Sequence, residues 1–251
     1  MLTNHSRSRM RDRSSVESAF RPTQLPSCVL WLRADLGITL NAGNVSAWAN
    51  QGSAAGSASQ GTGTSQPTYT TTGFGATSQP YLSFDATSDY LDLTTVGSLG
   101  TAYTFVFAVR YRSYTASNCI ASVVNSGLAD YNNATTAILG HVNAGTGLEH
   151  YVNGARGVAT RPTANTAAIV SMVQNATVSD VYVNGTVGTQ VGNTGALNAA
   201  MIRFGARSIP GVSNYSRIDL AEAIGFGRAL SAAELLNLHR KLGAFYGITV
   251  A

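Results

Sequence analysis

Lysine is almost missing from this chain of 251 residues: fifteen of its sixteen basic residues are arginine, and Lys241 is the only exception. Charge of either sign is scarce, at 11% of residues. So little charge excludes an architecture of long surface helices, whose outer faces need many ionised side chains. Long apolar runs are missing too. Nothing approaches the ~18 apolar residues of a membrane span. No apolar stretch of ~7–15 residues follows Met1 as in a secretory signal, so the expectation is a chain made and kept in a cytoplasm. Cysteine is limited to Cys28 and Cys119, which excludes a disulfide-built scaffold and leaves two small buried thiols as the expectation. His5, His141, His150 and His239 stand at no metal-ligand spacing, which argues against zinc.

What the chain has in quantity is Gly, Ser, Thr, Asn and Ala, the composition of short strands joined by many turns. Strands are expected at about residues 102–111, 119–124, 137–142 and 147–152. Asn153-Gly154 and Asn184-Gly185 are hairpin signals, because Asn-Gly suits the positive φ angles of a two-residue turn. Val181-Tyr182-Val183 should therefore pair with Val187 onward. Residues 51–79, nearly free of charge, read as a long surface loop in which residues 68–72 could form a short edge strand. Near the C-terminus, residues 218–226 are dense in apolar side chains without clean alternation, which suits a strand covered on at least one face. Ser231 then opens the one helix expected, with Glu234 completing a capping box, Leu230 as the staple residue, and Leu235, Leu238 and Leu242 at helical spacing.

Charge is distributed unevenly. Residues 1–21 carry Arg7, Arg9, Arg11, Arg13 and Arg21 against Asp12 and Glu17, a net +3 of the chain's formal +4. The body is nearly neutral. An arm of about residues 1–26 is expected, ending in the breakers Pro22 and Pro26, with a domain over 27–251. Such an arm holds few apolar anchors, chiefly Met10, Val16 and Phe20. Partner binding is assigned to Arg7, Arg9, Arg11, Arg13, Val16, Phe20 and Arg21, which can meet a partner's carboxylates. Nucleic acid is disfavoured, because acids interrupt the arm and no aromatic precedes Phe20.

The strand running into a capped helix from Ile218 to Leu242 resembles the C-terminal signature of the laminin-G-like, concanavalin A-like jelly-roll superfamily, especially members from tailed-bacteriophage and bacterial surface proteins. Val29-Leu30-Trp31-Leu32-Arg33-Ala34-Asp35 and Trp48-Ala49-Asn50-Gln51-Gly52 resemble its entry strands. Pro80–Asp85 followed by Ser88–Leu93 resembles its strand, polar turn and strand block. Tyr103–Arg110 resembles the central strand, and Asp180–Gly185 the late hairpin. The resemblance spans about residues 27–250 and implies an all-β jelly-roll sandwich with one short C-terminal helix. It implies a fold far better than an activity.

Catalysis on this fold needs paired carboxylates about 5–9.5 Å apart. The related glucanases carry a Glu-x-Asp-x-x-Glu run that has no match here, so no catalytic residues are assigned and a non-enzyme is expected. Asp85 and Asp89 could ligate Ca²⁺, as acids do in some laminin-G-like domains, but they supply few of the six to eight oxygens this ion takes. Capping of their own turn is the competing account. Glu149-His150-Tyr151 offers an acid, a base and a phenol, yet strand neighbours point to opposite faces. Tyr111, Tyr114, Tyr131 and Tyr215 fall at strand ends or loops, where their rings could stack on a surface glycan. The leading expectation is a structural protein of a tailed-phage virion, a capsid decoration (cement) protein assembled in the host cytoplasm. Its arm would bind the major capsid protein or other virion subunits, and a homo-oligomer is expected. The alternative is a glycan- or receptor-binding module of a phage tail or bacterial surface, with a polysaccharide hydrolase or lyase as a third class.

Overall fold

Alternation along the Ala102–Tyr111 strand sets the architecture. Tyr103, Phe105, Phe107 and Val109 enter one core, while Val106 and Ala108 enter another. Side chains leave a strand on alternate faces, so a strand buried on both must lie in a middle layer. The computed structural model describes residues 20–94, 96–114, 118–124, 130, 135–142, 147–152, 155–192, 195–208 and 211–251. In them the middle sheet has Ala102–Tyr111 between antiparallel Ile218–Phe226 and Ala167–Asn175. Cys28–Arg33 and Val178–Val183 extend it outward.

A second antiparallel sheet closes over the first core. Its spatial order is Asn44–Ala49, Ser57–Ser59, Leu91–Leu93, Met201–Phe204, Ala121–Val124, Ala137–Val142, Gly147–Val152 and Ala155–Thr160. Four of its seven neighbour pairs join consecutive strands; the other three, which bring Leu91–Leu93 and Met201–Phe204 between Ser57–Ser59 and Ala121–Val124, are crossovers between distant segments, as in a jelly roll. Leu91, Leu93, Ala121, Val123, Leu139, Leu148, Ile202 and Phe204 face Phe105, Phe107, Val170 and Leu220 across the sandwich.

The third layer is the helix Ala232–Tyr246, the only α-helix among the described residues. It begins where the sequence places it. Ser231 Oγ accepts from the Glu234 N–H at 3.3 Å, and Glu234 Oε2 accepts from the Ser231 N–H at 2.9 Å. Leu235, Leu238, Leu242 and Tyr246 cover Trp31, Val106, Ile169, Ile224 and Phe226. Gly247, at φ 65°, ends it in the left-handed conformation that glycine tolerates.

Ile218–Phe226, expected to be covered on at least one face, is buried along its whole length on both. Its uneven pattern has a cause: a register shift between Leu220 and Glu222 reverses the alternation. Residues 51–79 are more regular than a loop: the strand expected at 68–72 is present as Thr68–Phe74, and a further strand, Ser57–Ser59, lies between Asn44–Ala49 and Leu91–Leu93 in the second sheet. The Asn184-Gly185 turn has φ angles of 49° and 87°, with Tyr182 opposite Val187. Asn153-Gly154 lies outside the described residues, although the strands beside it pair at Val152 and Ala155. Cys28 and Cys119 are buried free thiols.

Candidate functional site

A polar cleft of about 460 Å³ opens where three segments distant in sequence converge. One wall is the turn at Gly75, the second the Asn165-Thr166 entry to the Ala167–Asn175 strand with the Asn184 turn, and the third the tail from Gly247 to Thr249. Arg110 lies at its base.

Each wall is held from behind. Gly75 has φ 67°, and a Cβ there would come within 1.9 Å of the Tyr246 carbonyl oxygen, so only glycine lets this turn lie against the helix end. Thr77 Oγ1 donates to the Phe245 carbonyl at 2.6 Å. Asn165, at φ 63°, donates its backbone N–H to the Tyr111 carbonyl at 2.7 Å. Asn184 Oδ1 accepts from the Ile169 N–H at 2.8 Å, and its carbonyl accepts from the Ala251 N–H at 2.9 Å. The walls are therefore fixed before any ligand arrives.

Arg110 is held still more firmly. Its Nε and Nη2 both reach Asp219 Oδ2 at 2.7 Å, and Nη1 donates to the Gly73 carbonyl at 2.9 Å. Its guanidinium carbon lies 5.0 Å from the Tyr81 ring centroid. Arg112 stands 3.6 Å from Asp219 Oδ1. A guanidinium has five N–H groups; the remaining ones are set in a preorganised plane. By contrast, nothing among the described residues bonds the side chains of Asn165, Thr166 and Thr249, or Asn184 Nδ2. The cleft thus offers amides, hydroxyls and one neutralised guanidinium, beside the apolar Ala76, Ala167 and Ile248. Its lining contains no carboxylate.

The residues singled out from sequence lie elsewhere. Arg7, Arg9, Arg11, Arg13, Val16 and Tyr131 fall outside the described residues. Phe20 is half-buried, with Lys241 Nζ 5.1 Å from its ring centroid, and Arg21 beside it is exposed. Tyr111 is not a rim residue: only 1% exposed, it donates its hydroxyl to the Gly140 carbonyl at 2.7 Å. Tyr114 stacks on it at 5.2 Å, carries Arg161 4.3 Å from its ring centroid, and donates to the Pro162 carbonyl. Tyr111 is thus no sugar platform, and the half-buried Tyr114 ring is already engaged by Tyr111 and Arg161. Tyr215 remains half-exposed and is not part of the cleft lining.

Asp85 and Asp89 close their own turn. Asp85 Oδ1 accepts the N–H groups of Thr87, Ser88 and Asp89 at 2.7, 2.9 and 3.3 Å. Burial pushes the Asp85 carboxyl up, but those N–H bonds outweigh it and hold it below its ordinary value. Burial, then the charge of Asp85, pushes Asp89 up to about 7. A cation would have to displace backbone donors from Asp85 and deprotonate Asp89, which is a poor fit for Ca²⁺. No group of three or more metal-ligating side chains occurs among the described residues.

Glu149, His150 and Tyr151 are divided between faces, as alternation requires. Glu149 Oε2 meets His141 Nδ1 at 3.1 Å on the outer face, while His150 enters the core between Tyr103 Oη at 3.2 Å and Ser179 Oγ at 2.6 Å. Burial pushes His150 down to about 3. A fully buried neutral imidazole cannot meet a polysaccharide.

No family model matches the chain, and no curated protein matches it either. Among solved structures it is similar to the binding domain of botulinum neurotoxin serotype G (TM-score 0.53, 12% identity, 88% of this chain and 54% of that one). It is similar to the Trypanosoma rangeli sialidase in complex with sialic acid (TM-score 0.55, 12% identity, 91% of this chain and 35% of that one). It is also similar to domain 4 of AbnA, a GH43 extracellular arabinanase from Geobacillus stearothermophilus, in complex with arabinotriose (TM-score 0.51, 13% identity, 72% of this chain and 82% of that one). The chain spans about half the length of the toxin domain and about a third of the sialidase. At such identities the likeness is one of fold.

Proposed function

We propose that this protein is a non-enzymatic carbohydrate-binding module whose site is the cleft at Arg110, Asn165 and Asn184. One observation carries the reading: fixed walls present unpartnered amide and hydroxyl groups around a space of about 460 Å³, within the ~300–1,000 Å³ range of small-molecule sites. Sugar hydroxyls both donate and accept, which suits a lining of Asn and Thr. The apolar Ala76, Ala167 and Ile248 can take the C–H faces of a ring. Because glycoside hydrolysis draws on two carboxyl groups, a lining without any supports binding over turnover. The arabinotriose-bound domain of the same fold is consistent with this reading.

The test is a glycan array with the full chain and with Asn165→Gly, which keeps the left-handed backbone at this position, and Thr249→Val. Saturable binding to a glycan by the parent chain, lost in both variants at unchanged melting temperature, is the expected result. Binding that survives both substitutions would move the site elsewhere. Release of reducing or unsaturated sugar would overturn the non-enzymatic reading.

A second reading, a virion surface protein held by its arm, is favoured by the +3 charge of residues 1–21 beside a nearly neutral body. A chain shortened by residues 1–19 should keep its fold and lose attachment to virions.

A further inference from the structure

Most arginines in the sandwich have an acid at hand. Arg33, Arg110, Arg203, Arg207 and Arg228 meet Asp35, Asp219, Asp92, Asp130 and Glu234 at 2.6, 2.7, 2.8, 2.7 and 2.8 Å. Arg112 and Arg156 lie 3.6 and 3.7 Å from Asp219 and Glu149. Arg21, Arg217, Arg240 and Lys241 have no carboxylate partner among the described residues. All but Arg217 gather in one place. Phe20 packs under Lys241, Arg21 follows Phe20 in the chain, and Arg240 precedes Lys241 on the helix.

The helix face that carries them is open. Ala233, Asn237, Arg240, Lys241 and Ala244 recur at helical spacing, and all five are exposed. The stripe has no acid and, apart from its two cations, only small side chains. The nineteen residues before Phe20 add four further arginines against two acids, and they join the body at this face. We propose that this helix stripe, together with Phe20 and Arg21, is a docking surface for a protein partner whose facing surface is rich in Asp and Glu. The inference does not depend on the cleft.

Charge selects the sign of the partner, and shape selects its class. Small residues between the cations let another protein's backbone approach closely, and unpaired guanidinium groups take carboxylates in bidentate fashion. A lipid surface gains only ~1 kcal/mol per basic residue, and the one large apolar side chain of this surface, Phe20, is half-buried against Lys241 and not free to insert. For nucleic acid the interrupted arm and a single aromatic already engaged by Lys241 supply little beyond phosphate contact.

Because Lys241 is the only lysine, amine acetylation of the full chain followed by mass spectrometry reports this face alone among side chains. A Glu-rich peptide should protect Lys241, with protection fading at high salt. Arg240→Glu should weaken that protection about tenfold, whereas Arg217→Glu, an equal charge change at an exposed residue elsewhere, should alter it less than about twofold. Arg240→Gln, which removes charge without reversing it, should weaken it in the same direction. Equal loss in the Arg217 and Arg240 variants, absence of protection, or stronger protection by a short duplex DNA or by phosphatidylserine vesicles would each overturn the proposal.

Discussion

Buried polar residues carry the sharpest consequences at the scale of single side chains. Glu222 is fully enclosed, accepting from Trp31 Nε1 at 2.7 Å and from the Tyr246 hydroxyl at 2.8 Å. Burial pushes its carboxyl from the usual 4.5 up to about 7, although both donors and Arg33 pull the other way. A carboxyl raised in the folded state stabilises the fold fully below its unfolded value of 4.5, and that contribution is lost as pH rises through about 7. Glu222→Gln removes this titration and retains a polar group facing both donors. Urea melts across pH should therefore show the variant gaining on the parent between 4.5 and about 7; a constant difference would contradict the assignment. His150 and His239 act in the opposite direction, since burial pushes them down to about 3 and about 4. Their contribution is present above 6.5 and lost as pH falls, which makes the difference between parent and variant the informative quantity. None of this is visible in sequence, where Glu222 and His150 read as ordinary strand residues.

At the scale of elements, local pattern and tertiary contact share the work unevenly. Ser231→Ala removes one cap acceptor and should cost about 1 kcal/mol. Leu238→Ala opens a void between helix and sheet and should cost about 2–5 kcal/mol. Chemical denaturation of the two variants measures the ratio, and a cap variant as destabilised as the core variant would contradict it. The capping box and leucine spacing made the helix legible because its start is encoded within four residues. The Ala102–Tyr111 strand was legible for a similar reason, as an apolar run of the right length. Ile218–Phe226 was harder to read, because a bulge at Leu220 and Glu222 reverses which side chains face which core. Inside residues 51–79 the strand at 68–72 was anticipated, whereas Ser57–Ser59 was hidden by its small side chains, because it pairs through backbone groups that every residue has.

For the whole molecule, the cleft exists only because distant segments meet. Arg110→Ala should destabilise the fold by about 3–5 kcal/mol, since it strips a nearly buried Asp219 of its close partner. Asn184→Ala should lower both melting temperature and glycan binding, because Oδ1 fastens the turn while Nδ2 faces the cleft. Asn165→Gly, which keeps the left-handed backbone, should lower binding alone. Thermal melts and glycan titration on the same samples separate these outcomes, and parallel losses in all three would show a structural role only. The tyrosines chosen from sequence illustrate the limit of local reading: Tyr111 and Tyr114 lie at and just beyond the end of a strand, yet one ring fills the core and the other packs half-buried against it. By itself the sequence determined the many short strands, the capped helix, the late hairpin and the basic N-terminal tract, because alternation, turn chemistry and charge are properties of neighbouring residues, while the sandwich was implied by the resemblance of residues 27–250 to a known superfamily. Only the tertiary structure decided where the polar cleft lies and which cations go unpaired, because Gly75, Arg110, Asn165, Asn184 and Thr249 share no spacing along the chain and meet only when the sheets and helix close.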